Sequence, residues 1–204
     1  WIKFCQEHHT RNYTVVGATS VQGLQVVDCH ANIVVPATHH TEYLALSYVW
    51  GVHTTVEALE GHKLLWAKLP QTVRDAISTT IRLGYRYVWV DRYCIPTDPK
   101  LKHAQIMNMD IIYRQAIATI VAAAGKDADF GLVGASVRSR LEQPLAKVGK
   151  YTLFSTLAHP RSTIANSVWA SRGWTYQEAL LSKRKIFFLE DQVYYECDGM
   201  QCCE

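Results

Sequence analysis

Four stretches of this chain are apolar at successive positions rather than at alternate ones: residues 43–51, 85–91, 116–125 and 185–189. A strand that is apolar on both sides is buried on both faces, the pattern of a parallel sheet covered by helices. Helical spacing falls between them. Val73, Ile77, Thr80 and Ile81 follow Leu69-Pro70-Gln71-Thr72, where Pro70 suits a first turn and Gly84 closes the helix. Ile106, Met109, Ile112 and Tyr113 mark a second helix over about 101–115, and a third is expected over about 175–182. Two prolines and an aspartate in the stretch 92–99 predict a loop without helix. Residues 193–197 add a strand that returns from 185–189 as a hairpin. Weaker strand patterns occupy 24–28 and 32–36, and 53–65 reads as a loop or small hairpin. The segment 126–165 reads as an insertion with one strand-like run, Tyr151-Thr152-Leu153-Phe154.

Strand, helix, strand, helix, strand, helix, strand predicts a three-layer α/β domain with a mostly parallel sheet flanked by helices. The expected division is an N-terminal extension, 1–42, packed on or covering a domain of 43–204. In such sheets the ligand crevice lies outside the carboxyl ends of the strands. Three clusters fall there: Ser47-Tyr48-Val49-Trp50-Gly51, Asp91-Arg92-Tyr93-Cys94, and the segment 172–178. Their convergence is the physical argument for a single site.

The third cluster holds the sharpest chemistry. Trp174 and Glu178 are four apart and share a helical face. A carboxylate beside an indole is partly desolvated, which raises its pKa and suits it to acid–base or cation-stabilising work. An isolated W-x-x-x-E would be a core ring and a solvated acid; the two other clusters shift that balance. Each remaining candidate also has a plainer role. Tyr48 and Trp50 can be packing residues, Asp91 a helix cap, Arg172 a partner of Asp91, and Cys94 either a nucleophile or a small buried hydrophobe.

Composition narrows the classes. The 204 residues are 49% hydrophobic and 19% charged, a globular balance sufficient for one sizeable core. A net charge of +3 argues against a nucleic-acid surface, and the run Ser182-Lys183-Arg184-Lys185 reads as a solvated helix end. No stretch approaches a membrane span, and no secretory leader is seen. Six cysteines form no C-x-x-C pair, so reduced thiols in a cytoplasmic compartment are the expectation. Cys5, His8 and His9 could begin a metal site, but no second pair follows at ligand spacing, so no metal is expected. Neither G-x-G-x-x-G nor G-x-x-x-x-G-K is present, which leaves hydride-transferring Rossmann enzymes and P-loop NTPases unsupported. The chain, running from Trp1 to Glu204, is expected to be part of a longer protein.

The run Tyr43-Leu44-Ala45-Leu46-Ser47-Tyr48-Val49-Trp50-Gly51 resembles the first signature of the fungal heterokaryon incompatibility (HET) domain. Trp89-Val90-Asp91-Arg92-Tyr93-Cys94-Ile95 resembles the second and Arg172-Gly173-Trp174-Thr175-Tyr176-Gln177-Glu178 the third, in the right order across about 43–197. One departure stands out: Pro96-Thr97 replaces the Asn-Gln usual in the family. HET domains are in turn similar to TIR domains, and so to a flavodoxin-like sheet order. That second step rests on fold-level analogy. It implies an NAD glycohydrolase acting when oligomerised, with NAD or a related nucleotide as substrate and no further cofactor. Glu178 would stabilise the oxocarbenium-like transition state. Tyr48, Trp50 and Trp174 would stack on the bases, Ser47 and Gly51 would allow close approach, Asp91 would line the site, and Arg92 or Arg172 would meet the pyrophosphate. The competing expectation is a non-catalytic signalling module that assembles and triggers cell death through partners.

Overall fold

The computed structural model of the chain describes residues 1–9, 21–51, 58–135 and 137–204, and within helix 173–181 it leaves the side chains of 174, 176, 177 and 179 undescribed. The chain opens with α1 (Ile2–His8), then β1 (Gln25–Asp28), β2 (Ile33–Pro36) and β3 (Tyr43–Ser47). A small hairpin of β4 (Leu59–Glu60) and β5 (Lys63–Leu64) precedes α2 (Gln71–Arg82) and β6 (Tyr87–Trp89). Next come α3 (Asp91–Cys94), α4 (Pro99–Met107), α5 (Met109–Gln115) and β7 (Thr119–Ala122). The segment 126–165 contributes a separate hairpin, β8 (Leu145–Val148) with β9 (Tyr151–Phe154), and α6 (Pro160–Ala165). The chain closes with α7 (Gly173–Leu181), β10 (Arg184–Phe188), β11 (Val193–Cys197) and β12 (Met200–Cys203).

The doubly apolar runs become the centre of a ten-stranded sheet, in the order β12-β11-β10-β7-β3-β6-β1-β2-β5-β4. β10, β7, β3 and β6 are mutually parallel, and β3 and β7 are buried at every position. The expected parallel sheet is therefore the middle of a mixed one. β11 and β12 extend it antiparallel on one side, and β1, β2, β5 and β4 on the other. β12 was not anticipated from the sequence. The N-terminal strands enter the sheet itself, since β1 pairs with β6.

Of the parallel strands, the first in the chain is β3; the second, β6, lies on one side of it, and the third and fourth, β7 and β10, on the other. With right-handed crossovers this reversal sends α2 to one face and α5 and α7 to the opposite face. Accordingly α2 packs on β3 and β6, while α5 packs against α7. Strand alternation then decides which residues meet the second face. Tyr43 points to it, donating its hydroxyl to the Ile112 carbonyl of α5 at 2.7 Å, and so does Ser47, two pairs of residues further along. Ser47, Val121, Phe187 and Tyr194 stand in register across four neighbouring strands, and the Trp169 ring meets Phe187 edge-on at 5.7 Å.

Two local expectations are corrected. The helix over 101–115 is broken at Asn108, whose side-chain amide donates to the Ala104 carbonyl at 2.7 Å and so competes with the helical ladder. The stretch after β6 does contain a helical turn, α3. Pro96 ends that turn by holding Ile95 extended, rather than preventing it. Among the described residues no helix is long and apolar enough to cross a membrane.

Candidate active site

Glu178 lies on the inner side of α7, only 5% exposed. Its position is set from both ends of its residue. The Ser182 hydroxyl donates to the Glu178 backbone carbonyl at 2.6 Å and is itself bonded to Thr119 of β7 at 2.7 Å. The Glu178 carboxylate accepts from the hydroxyl of Ser47, the last residue of β3. That hydroxyl accepts in turn from the indole N–H of Trp169 at 2.6 Å. The chain Trp169–Ser47–Glu178 thus locks the carboxylate against the end of the central strand.

A second carboxylate sits at the neighbouring strand end. Asp91 follows β6 and opens α3; it accepts from the Trp50 indole at 3.0 Å and from the Arg92 backbone N–H at 2.7 Å. The Arg92 guanidinium lies 5.8 Å from the centre of the Trp50 ring. Arg172, just before α7, donates to the Tyr48 carbonyl at 2.5 Å and ties the loop after β3 to the start of that helix.

These groups share a cavity of about 450 Å³. Trp50, Asp91, Arg92, Arg172 and Glu178 line it, five of the nine candidates read from the sequence. Three others are not among its lining residues. Ser47 and Tyr48 are buried behind it, Ser47 as the partner of Glu178 and Tyr48 through the carbonyl that holds Arg172. Gly51 has φ +77°, and a Cβ there would stand 2.8 Å from the Cβ of Asp127, so its glycine admits a neighbouring loop. The side chain of Trp174, and with it the expected Trp174–Glu178 wall, lies outside the described residues.

The rest of the lining escaped sequence reasoning. Ile95, Pro96 and Thr97 of the loop after α3, Lys102 and Ile106 of α4, and Met109 of α5 complete the cavity. Ile106 and Met109 carried the signal of an ordinary apolar stripe. The break at Asn108 separates them onto two helices that frame a hollow. The Pro96-Thr97 departure from the family pattern is therefore part of the wall. Trp169, part of the Ser167-Val168-Trp169 stretch similar to the TIR helix, was given no role of its own because it belongs to no periodic run.

Burial, reinforced by the like charge of Glu178, raises Asp91 to a pKa of about 7; the bonds from Arg92 and Trp50 and the charge of Arg172 oppose that rise. Glu178 is raised as well, by burial first, with Ser47 and Arg172 holding it down. Two carboxyls with raised pKa values in one hollow, facing Arg92, Arg172 and Lys102, make a site suited to a ligand with both cationic and anionic parts. Cys94 lines no part of it: fully buried, its thiol is pushed up to about 12, the behaviour of a small buried hydrophobe.

In comparison with known proteins, a model of the family described as heterokaryon incompatibility protein (HET) matches residues 43–178, from the first residue of β3 to the carboxylate in the cavity. No curated protein and no solved structure matches the chain.

Proposed function

Because the chain belongs to the heterokaryon incompatibility (HET) family, we propose that its cavity binds NAD or a related nucleotide and cleaves the nicotinamide–ribose bond. Its function is related to fungal heterokaryon incompatibility and the accompanying cell death. The observation that carries the finer reading is Glu178, a buried carboxylate held by Ser47 in the wall of a 450 Å³ hollow at the carboxyl ends of parallel strands. The 2-1-3-4 order of those strands supports a flavodoxin-like, and hence TIR-like, arrangement, in which ligands sit at that edge.

In this reading Trp50 stacks on a base, and Arg92, Arg172 and Lys102 meet the pyrophosphate. The bond between ribose C1′ and the pyridinium nitrogen breaks, and its electron pair leaves with nicotinamide, which needs no proton. Ionised Glu178 stabilises the oxocarbenium ion left on the ribose. Water adds at C1′ and gives up a proton, leaving ADP-ribose. Arg172 serves this role by keeping both carboxyls closer to ionisation. Assembly into a homo-oligomer is part of the proposal. The β8–β9 hairpin offers a surface for it, with Leu145, Val148, Tyr151, Leu153 and Phe154 each 56–64% exposed.

The same hairpin favours a second reading, a non-catalytic module in which the carboxylate network is structural and assembly is the output. Nicotinamide release decides between them. The chain, concentrated or fused to an oligomerising partner, releases nicotinamide from NAD, and Glu178→Gln lowers that rate by about 10²–10³-fold. No release, or equal release from the variant, leaves only the assembly reading.

A further inference from the structure

The first helix and the last hairpin meet at a place that shares no residue with the nucleotide cavity. Cys5 lies in α1, and His9 caps the C-terminal end of that helix, four positions on and on the same face. Cys197 ends β11, at the opposite end of the chain. The three ligand atoms, two sulfurs and a ring nitrogen, all lie within 4.8 Å of one another. His9 Nδ1 stands 3.4 Å from Cys197 Sγ. In a tetrahedral zinc site, Zn–S of about 2.3 Å and Zn–N of about 2.05 Å set the S···N edge at about 3.5 Å. The observed spacing is therefore already that of two ligands on one ion.

The surroundings fit the same chemistry. Both sulfurs are buried, and the imidazole is half-buried. Arg184 donates from Nε to Cys5 Sγ at 3.2 Å and from Nη1 to the Ile117 carbonyl at 3.1 Å, an outer hydrogen bond of the kind that orients a metal thiolate. The turn before β12 makes room for the histidine. A Cβ at Gly199 would stand 3.0 Å from the His9 ring, so any side chain there presses on the imidazole where it lies over the hairpin.

The geometry points to a binding site for a borderline-soft divalent cation, zinc by its donor set, held by Cys5 Sγ, His9 Nδ1 and Cys197 Sγ. The fourth position goes to water or another ligand. Binding displaces the remaining thiol protons to solvent and ties α1 to β11, so that the segment before the sheet is fastened to its far side. The expectation that no metal is bound rested on the absence of a second ligand pair nearby. The third ligand arrives instead through the fold, from 188 positions beyond His9.

The test uses the chain reduced and stripped of metal, then equilibrated with zinc or cobalt(II). One zinc per chain is expected, and cobalt is expected to show thiolate charge-transfer bands with the intense d–d bands of a tetrahedral site. His9→Ala and Cys197→Ser bring bound zinc to background, while Arg184→Gln weakens affinity by about 10–100-fold. Gly199→Val, which displaces the ring without removing a ligand, weakens it too. Circular dichroism of metal-free His9→Ala checks that folding is retained. Background zinc in the parent, unchanged zinc in both ligand variants, or cobalt spectra without thiolate bands would each overturn the assignment.

Discussion

Ser47 and Trp169 are joined by a 2.6 Å hydrogen bond from the indole N–H to the serine hydroxyl, and that hydroxyl in turn donates a hydrogen bond to the Glu178 carboxylate. Three residues from a strand end, a loop and a helix thus form one relay of polar contacts within the core. Ser47 has both of its hydrogen-bonding roles filled by the protein, so it positions the acid rather than meeting a ligand.

Ser47→Ala is therefore expected to act on both neighbours. It strands a buried indole N–H and removes a bond that lowers the Glu178 pKa. The stability loss should be of order 1–3 kcal/mol, read from urea unfolding. In the NAD-cleaving assay the acid limb of the pH profile should move upward, because a larger fraction of Glu178 is protonated at any given pH. An unmoved limb would separate Ser47 from the ionisation of Glu178.

Asp91 makes the protein's stability fall as pH rises through the range between its free and folded pKa values. An aspartate in the unfolded chain titrates near 3.8, and Asp91 in the fold near 7. Between those values the folded state keeps a proton that the unfolded chain has released, so raising the pH favours unfolding. This group's contribution is complete below about pH 4, declines through the window and is lost above about pH 7. Asp91→Asn removes the decline. The difference in Tm between variant and parent should grow with pH and level off above 7; a constant difference would contradict the raised pKa.

Trp50 joins both halves of the cavity. Its N–H bond to Asp91 opposes the rise in that group's pKa, and its ring faces Arg92. Trp50→Phe keeps an aromatic face and loses the bond, so carbon-13 NMR should record a still higher Asp91 pKa with a modest change in KM. Trp50→Ala also loses the stacking face, worth ~1–3 kcal/mol for a base on an aromatic ring, and should raise KM roughly ten- to hundredfold.

Gly51→Ala combines a positive φ with a Cβ placed 2.8 Å from that of Asp127. A destabilisation of order 1–3 kcal/mol is expected from the backbone conformation alone, measured by chemical denaturation. The displaced neighbour, Trp50, should raise KM as well. Unchanged stability would show that the loop after β3 relaxes freely.

The amino-acid pattern was enough to locate the four parallel strands, the helix Gln71–Arg82 and the convergence of three clusters at one sheet edge. Those features depend on local periodicity, which sequence carries directly: a run apolar on both faces can be stable only inside a covered sheet. The helical spacing of Trp174 and Glu178 singled out the acid, family likeness gave it a proposed task, and five of the nine candidate residues do line one hollow. What each motif residue faces was a matter for the tertiary structure. Alternation along β3 turns Ser47 toward Trp169 and Glu178, while the chain leaving the strand carries Trp50 to the cavity, and neither outcome follows from their adjacency in the sequence. The amide of Asn108 divided one expected helix into two and so shaped the cavity wall. Only folding could bring Cys5 and His9 to Cys197, since spatial neighbours separated by nearly the whole chain leave no spacing to read.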